Sequence, residues 1–263
     1  MTTIPPSFDA KNPYIELMLR FHENTKLRKT SGGGFGWNEI SAHRIAAWEG
    51  TDPVQGHFQS KELETLASKL GVTEIFAKRK STRHFSGLPI SWTIIASLTF
   101  STVGGRLCGE EQKLFFNPTA GNLRSSQLAW LRYEDASNSW ELAFVRHGSL
   151  FRAGTYDDYI VKNCFLDPPA GTSSICLVHS DFGRLVSKYG ARGYRYAFLD
   201  AGHLMQNLYL CCADLKIGIH SSCGFTDNEC NSLLALDGKK NSVVYCAYLG
   251  HPGESKSEAQ LRP

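Results

Sequence analysis

Residues 188–207, KYGARGYRYAFLDAGHLMQN, constrain the chain more than any other stretch. They open with a Lys-Tyr pair and a Gly-rich turn. An apolar helix follows, interrupted by Asp200, Gly202, His203, Gln206 and Asn207. A helix apolar nearly all round packs as a buried central element. Buried polar groups without partners cost about 1–3 kcal/mol each, so these side chains must meet protein or ligand. Lys188 and Tyr189 sit just before the helix, on a mount rigid enough to hold a proton-transferring pair.

The rest of the chain is arranged around this helix. Residues 1–60 read as an N-terminal arm, with a short amphipathic helix in ELMLRFHENTK and a flexible Gly-rich linker in SGGGFGWNE. From residue 61 to 253 helices and strands interleave. KELETLASKLG reads as a helix, and ISWTIIASLTFSTVGG as a second one capped by Ser91 and stopped by Gly104 and Gly105. QLAWLRYE and WELAFVRHG flank a turn, EDASNS, and predict a hairpin. YDDYIVKNCF reads as a short helix, SSICLVHS as a buried strand and DFGRLVSKYG as a helix with Asp181 at its start. The central helix runs from about 194 to 216. IGIHSSCGF predicts a strand, TDNECNSLLALD a helix capped by Thr226 or Asp227, and NSVVYCAYLGHP the last strand. Residues 254–263 read as a disordered polar tail. This order predicts a three-layer α+β or α/β domain over 61–253.

The 263 residues carry a net charge of only +3, which gives no electrostatic footprint for nucleic acid. No run of about 18 apolar residues predicts a membrane span, and MTTIPPSFDAKNPY lacks the pattern of a secretory signal. The eight cysteines are scattered, mostly in apolar runs, and no CxxC occurs; free, reduced thiols in a cytoplasmic protein are expected. His220, Cys223 and Cys230 match no standard zinc spacing, so no metal is expected.

Four short motifs can carry chemistry. Arg79, Ser81 and Arg83 in RKSTR suit an anion, because guanidinium groups bind phosphate bidentately; a solvated basic run is the plain alternative. Asn117-Pro118-Thr119-Ala120-Gly121-Asn122 lets backbone approach a flat ligand closely, or is an ordinary turn. Ser222-Cys223-Gly224-Phe225-Thr226-Asp227 ends a strand and opens a helix, where an anion or simply a cap can sit. Lys188 beside Tyr189 can act as a base only if burial or a neighbouring positive charge, such as Arg192 or Arg195, lowers its pKa; otherwise it caps a helix end.

In their order these motifs resemble the nitroreductase-like flavoproteins, and more closely the SagB-type dehydrogenases, which oxidise azolines in thiazole/oxazole-modified peptides. The resemblance covers residues 74–250, with KYGARGYRYAFLDAGHLMQN and GFTDNECNSLLALD its most specific parts. It implies the nitroreductase α+β fold, with a long buried central helix and a mixed, mainly antiparallel sheet. It also implies a homodimer with FMN bound where the subunits meet. Arg79, Ser81 and Arg83 would hold the FMN phosphate and ribityl chain; Thr119, Ala120, Gly121, Gln206, Gly224 and Phe225 would contact the cofactor elsewhere. Lys188 and Tyr189 match the pair these dehydrogenases use catalytically. The loop departs from the family pattern at Thr119, usually Ser, and at Leu123-Arg124-Ser125-Ser126, which replace an aromatic-Pro step and alter the pocket wall.

The implied reaction converts peptide thiazolines or oxazolines to thiazoles or oxazoles. Lys188 or Tyr189 removes the Cα proton, the flavin accepts a hydride from Cβ, and oxygen is the final acceptor. A precursor peptide and the cyclodehydratase subunits of a synthetase complex are the implied partners. Two other readings stand beside it: an NAD(P)H-dependent flavin oxidoreductase of the same fold, and a non-catalytic scaffold subunit of a peptide-modifying complex.

Overall fold

The computed structural model describes residues 12–25, 71–108, 112–146 and 149–253. The chain divides into two compact units, residues 1–28 with 78–263, and residues 29–77. The expected linker at 31–36, the helix over 61–70 and the polar tail from 254 lie outside the described residues.

The first unit is built on a six-stranded sheet. Its strands are β3 (Ser126–Glu134), β4 (Ser139–Arg146), β5 (Ser149–Asp157), β6 (Ser174–Asp181), β7 (Gly218–Ser222) and β8 (Asn241–Gly250). Their order across the sheet is β5-β4-β3-β6-β8-β7, and each neighbouring pair is antiparallel. A separate hairpin joins β1 (Gly105–Cys108) to β2 (Gln112–Phe115). The predicted turn between β3 and β4 forms as one 3₁₀ turn, closed by Asn138 at φ 47°, a left-handed conformation that Asn tolerates. β6 lies mid-sheet with both faces covered, which explains its unbroken apolar run: Ile175, Cys176, Leu177 and Val178 are all buried.

Helices cover both faces. Leu128, Trp130, Cys176 and Val178 point to one core, packed under α3 (Trp92–Val103), α5 (Phe182–Tyr189) and α6 (Gly193–Asp214). Their strand neighbours Ala129, Leu131, Ile175 and Leu177 point to the other core, under α4 (Asp158–Asn163) and α7 (Asp227–Leu233). This alternation is the period of two expected of strands between two layers. The architecture is the three-layer α+β fold anticipated from the sequence. Ser91 caps α3 as expected, accepting from the Ile94 N–H at 3.3 Å. α7 is shorter than expected and its cap differs: the Thr226 hydroxyl donates to the carbonyls of Asn163 and Cys164 instead of capping the helix.

The central helix buries one stripe: Ala197, Asp200, Ala201, Leu204, Met205, Leu208, Tyr209 and Cys212. That spacing of three and four is one helical face. Phe198 and Leu199 lie off it, 42% and 57% exposed. The helix α1 (Pro13–Thr25) presents Ile15 and Met18 to Val186, and His22 Nδ1 lies 3.2 Å from Tyr194 Oη. The short α2 (Thr73–Lys78) buries no residue. Among the described residues no helix is long and apolar enough to cross a membrane, and no three His, Cys, Asp or Glu side chains gather to hold a metal ion.

Position on α6 should decide what a leucine is worth. Leu208→Ala, at a fully buried site, is expected to cost about 2–5 kcal/mol. Leu215→Ala, just past the helix at a site 46% exposed, should stay within about 0.5 kcal/mol. Equilibrium denaturation of the two variants checks this contrast.

Candidate active site

Asp200 is 3% exposed in the middle of an apolar helix, and its partners are all in one loop. Its carboxylate accepts from Thr119 Oγ1 at 2.9 Å, from the Ala120 N–H at 3.0 Å and from Ser125 Oγ at 3.0 Å. Hydrogen bonds to a charged group contribute about 1.5–3 kcal/mol each, enough to fix a loop whose regular structure is a single 3₁₀ turn, Ala120–Asn122. The loop needs fixing: Gly121, Asn122 and Arg124 sit at φ 57°, 59° and 49°. Gly and Asn adopt that region readily, whereas for arginine it is uncommon. Arg124 is held there by its N–H to Thr119 Oγ1 (3.2 Å) and by Arg184, whose Nη1 donates to the Leu123 and Arg124 carbonyls at 3.0 and 3.4 Å.

The Lys188 and Tyr189 pair meets this loop at Gly121. α5 is oriented by Asp181, which accepts from the Arg184 N–H at 2.8 Å and starts the helix. The chain leaves α5 through Gly190 at φ 60°, and Gly193 then packs so closely on Leu185 that a Cβ would fall 2.6 Å from its carbonyl carbon. This tight exit places Lys188 Nζ 3.5 Å from the Gly121 carbonyl and 5.5 Å from the centre of the Tyr189 ring. Tyr189 in turn packs edge-on to Tyr196, centroids 4.9 Å apart. A Cβ on Gly121 would crowd Tyr189 Oη and lie 2.5 Å from Lys188 Nζ, so a larger residue would push the ends of both side chains aside. A cavity of about 320 Å³ opens here, lined by Pro118, Thr119, Ala120, Tyr189, Tyr196 and His203 among others.

The basic motif forms a second group. Its backbone runs beside the sheet edge, with the Thr82 N–H donating to the Ile219 carbonyl at 2.8 Å. Ser81 Oγ lies 3.2 Å from Tyr209 Oη, which also accepts from the Ser221 N–H at 2.9 Å; Ser221 Oγ reaches Tyr245 Oη at 3.1 Å. The Arg79 guanidinium lies over the Tyr209 ring at 5.6 Å. Arg79 and Arg83 are both exposed. Burial, and then the charge of Arg83, lower the pKa of His220 below its ordinary value. The arginines are thus held on a polar scaffold with their charges open to an anionic ligand.

These two groups are separate places on one helix. Asp200 and Tyr209 are nine residues apart on α6, about 13 Å at 1.5 Å per residue. Gln206 is exposed on the helix between them. Arg192 and Arg195 are exposed on the turn before α6 and on its first turn, and neither makes an ion pair among the described residues. Gly224 joins neither group through a side chain: its N–H donates to Ser222 Oγ at 2.9 Å, and its carbonyl accepts from the Leu166 N–H at 3.0 Å. Phe225 is buried in the core on the far face of the sheet, bridged to Phe165. Cys230, one member of the zinc alternative, directs its thiol to the Cys164 carbonyl in that same core.

Two anchoring residues were not singled out for these roles from the sequence. Asp200 had a signal, a carboxylate interrupting an apolar helix, but its partners lie 75 to 81 residues earlier. Tyr209 had none, since a tyrosine on a buried helix reads as core. The Asp200 anchor predicts that Asp200→Ala strands three donors and costs about 2–4 kcal/mol, and that Gly121→Ala costs about 1–2 kcal/mol in backbone strain. Thermal and denaturant unfolding of both variants check this.

The geometry fits what the comparisons return. A model described as the nitroreductase family matches residues 76–251, more than half of the chain. A nitroreductase-like protein of Methanocaldococcus jannaschii is 34% identical over 62 residues, 24% of this chain and 31% of that protein. The match thus spans about a third of the length of that curated relative. Among solved structures, a chain of the E. coli microcin synthetase McbBCD complex with truncated pro-MccB17 bound superposes with a TM-score of 0.67 at 14% identity, covering 92% of this chain and 94% of that one. A nitroreductase-like protein from Anabaena variabilis gives a TM-score of 0.56 at 23% identity, over 69% of this chain and 38% of that one. At these identities the structural likeness is one of fold. The family match carries the assignment: the chain belongs to the nitroreductase family.

Proposed function

We propose that this protein is an FMN-dependent dehydrogenase that oxidises peptide thiazolines or oxazolines to thiazoles or oxazoles. The observation that carries the reading is the meeting of Lys188 and Tyr189 with the Gly121 turn, with the Lys188 amine 3.5 Å from the Gly121 carbonyl. A simple flavin reductase needs no base at that point, whereas azoline oxidation does. The likeness of fold to a chain of a microcin synthetase complex, over nearly the whole length of both chains, supports the same reading.

The residues fit FMN. Arg79 and Arg83, exposed and carried beside Ser81 on the Tyr209–Ser221 scaffold, offer two guanidinium groups and a hydroxyl to a phosphate. The Thr119–Gly121 segment offers a backbone surface without bulk to a flat ring system, as do Ser222–Gly224 at the end of β7. FMN, when bound, supplies the two-electron acceptor. The chain's own residues handle the proton. Aromatisation makes a double bond between Cα and Cβ of the azoline, so the ring loses a proton from Cα and a hydride from Cβ. Tyr189 Oη receives that proton, or Lys188 Nζ does once the bound ring covers its exposed amine, and a positioned base contributes roughly 10²–10⁴-fold in rate. Asp200 holds the loop against which the ring must be oriented.

The same reading takes a homodimer as the working unit. Phe198 and Leu199 on α6, with Phe100 and Phe116, leave apolar surface exposed that a second copy would cover. The precursor peptide and the cyclodehydratase subunits of a synthetase complex are the other partners.

The purified protein is expected to show the absorption of oxidised flavin and to release FMN on denaturation. Arg79→Ala with Arg83→Ala should lose the cofactor. Lys188→Ala should keep FMN and oxidise an azoline peptide roughly 10²–10⁴-fold more slowly. A Lys188→Ala protein with full azole formation removes the role assigned to Lys188. Rapid bleaching by NAD(P)H without azoline oxidation replaces the function with a reductase, and a protein that cannot be reconstituted with FMN replaces it with a scaffold.

A further inference from the structure

The loop that meets Lys188 has a second cavity at its other end. It has a volume of about 320 Å³ and is lined by Arg124, Arg184 and Asn117, with Leu128, Val145 and Leu204 among its apolar walls. This is the low end of the range for small-molecule sites, which is roughly 300–1,000 Å³. It suits one side chain or a small acid. Arg124 is half-buried, and its guanidinium lies over the Phe115 ring at 4.2 Å. Among the described residues it makes no ion pair. Arg184 has one distant carboxylate, Asp181 at 3.6 Å. Two guanidinium groups therefore line this cavity beside an apolar wall, and among the described residues no carboxylate lines it. Burial, and then repulsion from Arg184, pull the Arg124 pKa below its ordinary value, and a bound anion would relieve both costs.

The loop conformation makes Arg124 hard to explain as a structural residue. It holds φ 49°, which is uncommon for a residue with a Cβ, and the hydrogen bonds that fix it come from its backbone. Its charge is free for a ligand that combines a carboxylate with a short apolar stem. Arg124 follows Gly121 by three residues, so the two ends of the loop are at most about 10 Å apart. An extended peptide advances about 3.3 Å per residue. We propose that this cavity is a subsite for an acidic residue of the peptide substrate, within about three residues of the azoline. This rests on the peptide-dehydrogenase reading above.

The test uses fluorescent azole-containing peptides in which one Asp is moved from three residues before the ring to three after it, each paired with its Asn counterpart. Binding to the full-length FMN-loaded protein is read by anisotropy. At one position Asp should bind about tenfold more tightly than Asn. Arg124→Asn, chosen because Asn tolerates the left-handed backbone, should abolish that preference. Arg124→Lys should keep part of it, since the charge remains and the bidentate fork is lost. An equal Asp preference in Arg124→Asn overturns the subsite, as does an Asp-to-Asn ratio near one at every position. Azoline oxidation that proceeds without any Asp preference overturns the subsite alone. Failure of all the peptides to bind overturns the peptide-substrate reading with it.

Discussion

One buried carboxylate organises the site. Asp200 lies on the stripe of α6 that faces the core, where an unpaired charge would not survive. It is stable there only because Thr119, Ala120 and Ser125 bring it three donors. The dependence runs both ways. The Thr119–Ser125 loop carries three residues in the left-handed region and has little regular structure to hold it, so Asp200 at one end, with Arg184 at the other, fixes its path. Because the loop is fixed, the Gly121 carbonyl is fixed, and the position of Lys188 has a reference point. A charge on the helix thus becomes the placement of Lys188, five residues before the helix begins.

The same helix separates the tasks. Asp200 organises the end where Lys188 and Tyr189 meet the loop, and Tyr209, about 13 Å further along, supports the cation-bearing segment through Ser81 and the Arg79 guanidinium. Both anchors belong to the buried stripe, and each reaches a segment from elsewhere in the sequence. The opposite face stays exposed, with Phe198 and Leu199 among Arg195, His203 and Gln206. A rigid helix of 22 residues is well suited to hold two groups at a constant spacing, since helix geometry does not depend on what the loops do.

Much of this was legible in the sequence, and the failures have physical causes. α3, α5, α6, the β3–β4 hairpin and the two buried strands β6 and β8 were readable because each has a strong local signal: a cap, a turn or a continuous apolar run. β5 was not, because FRAGTYD is an exposed edge strand with little apolar patterning and is specified by its pairing with β4. The β1–β2 hairpin leaves no sequence signal for a similar reason: four-residue strands carry too few side chains for a period to show. Of the two caps expected for α7, Thr226 or Asp227, the first is diverted: two carbonyls from the α4 end take its hydroxyl, a tertiary effect with no local trace. In the site, Gly121 was singled out for its backbone freedom, and the structure adds the reason for it, the space taken by Lys188 and Tyr189. Phe225 shows the opposite case. Its position beside Gly224 says nothing about which face of the sheet its ring takes, and the ring goes into the core.

The shape of the site bears on the kind of substrate. Lys188 is exposed, and the cavity beside it is about 320 Å³, at the low end for a site that must enclose a whole small molecule. An enzyme for a free metabolite gains its specificity by burying most of the ligand. A peptide needs only its reactive ring buried, because neighbouring residues supply binding energy along an open surface. Two cavities of similar size at the two ends of one loop, one beside the Lys188–Tyr189 pair and one beside two arginines, give a chain of residues separate points of contact. Rigid points a few residues apart fix the register of a flexible substrate without enclosing it, and register is what an enzyme choosing one ring in a peptide must control.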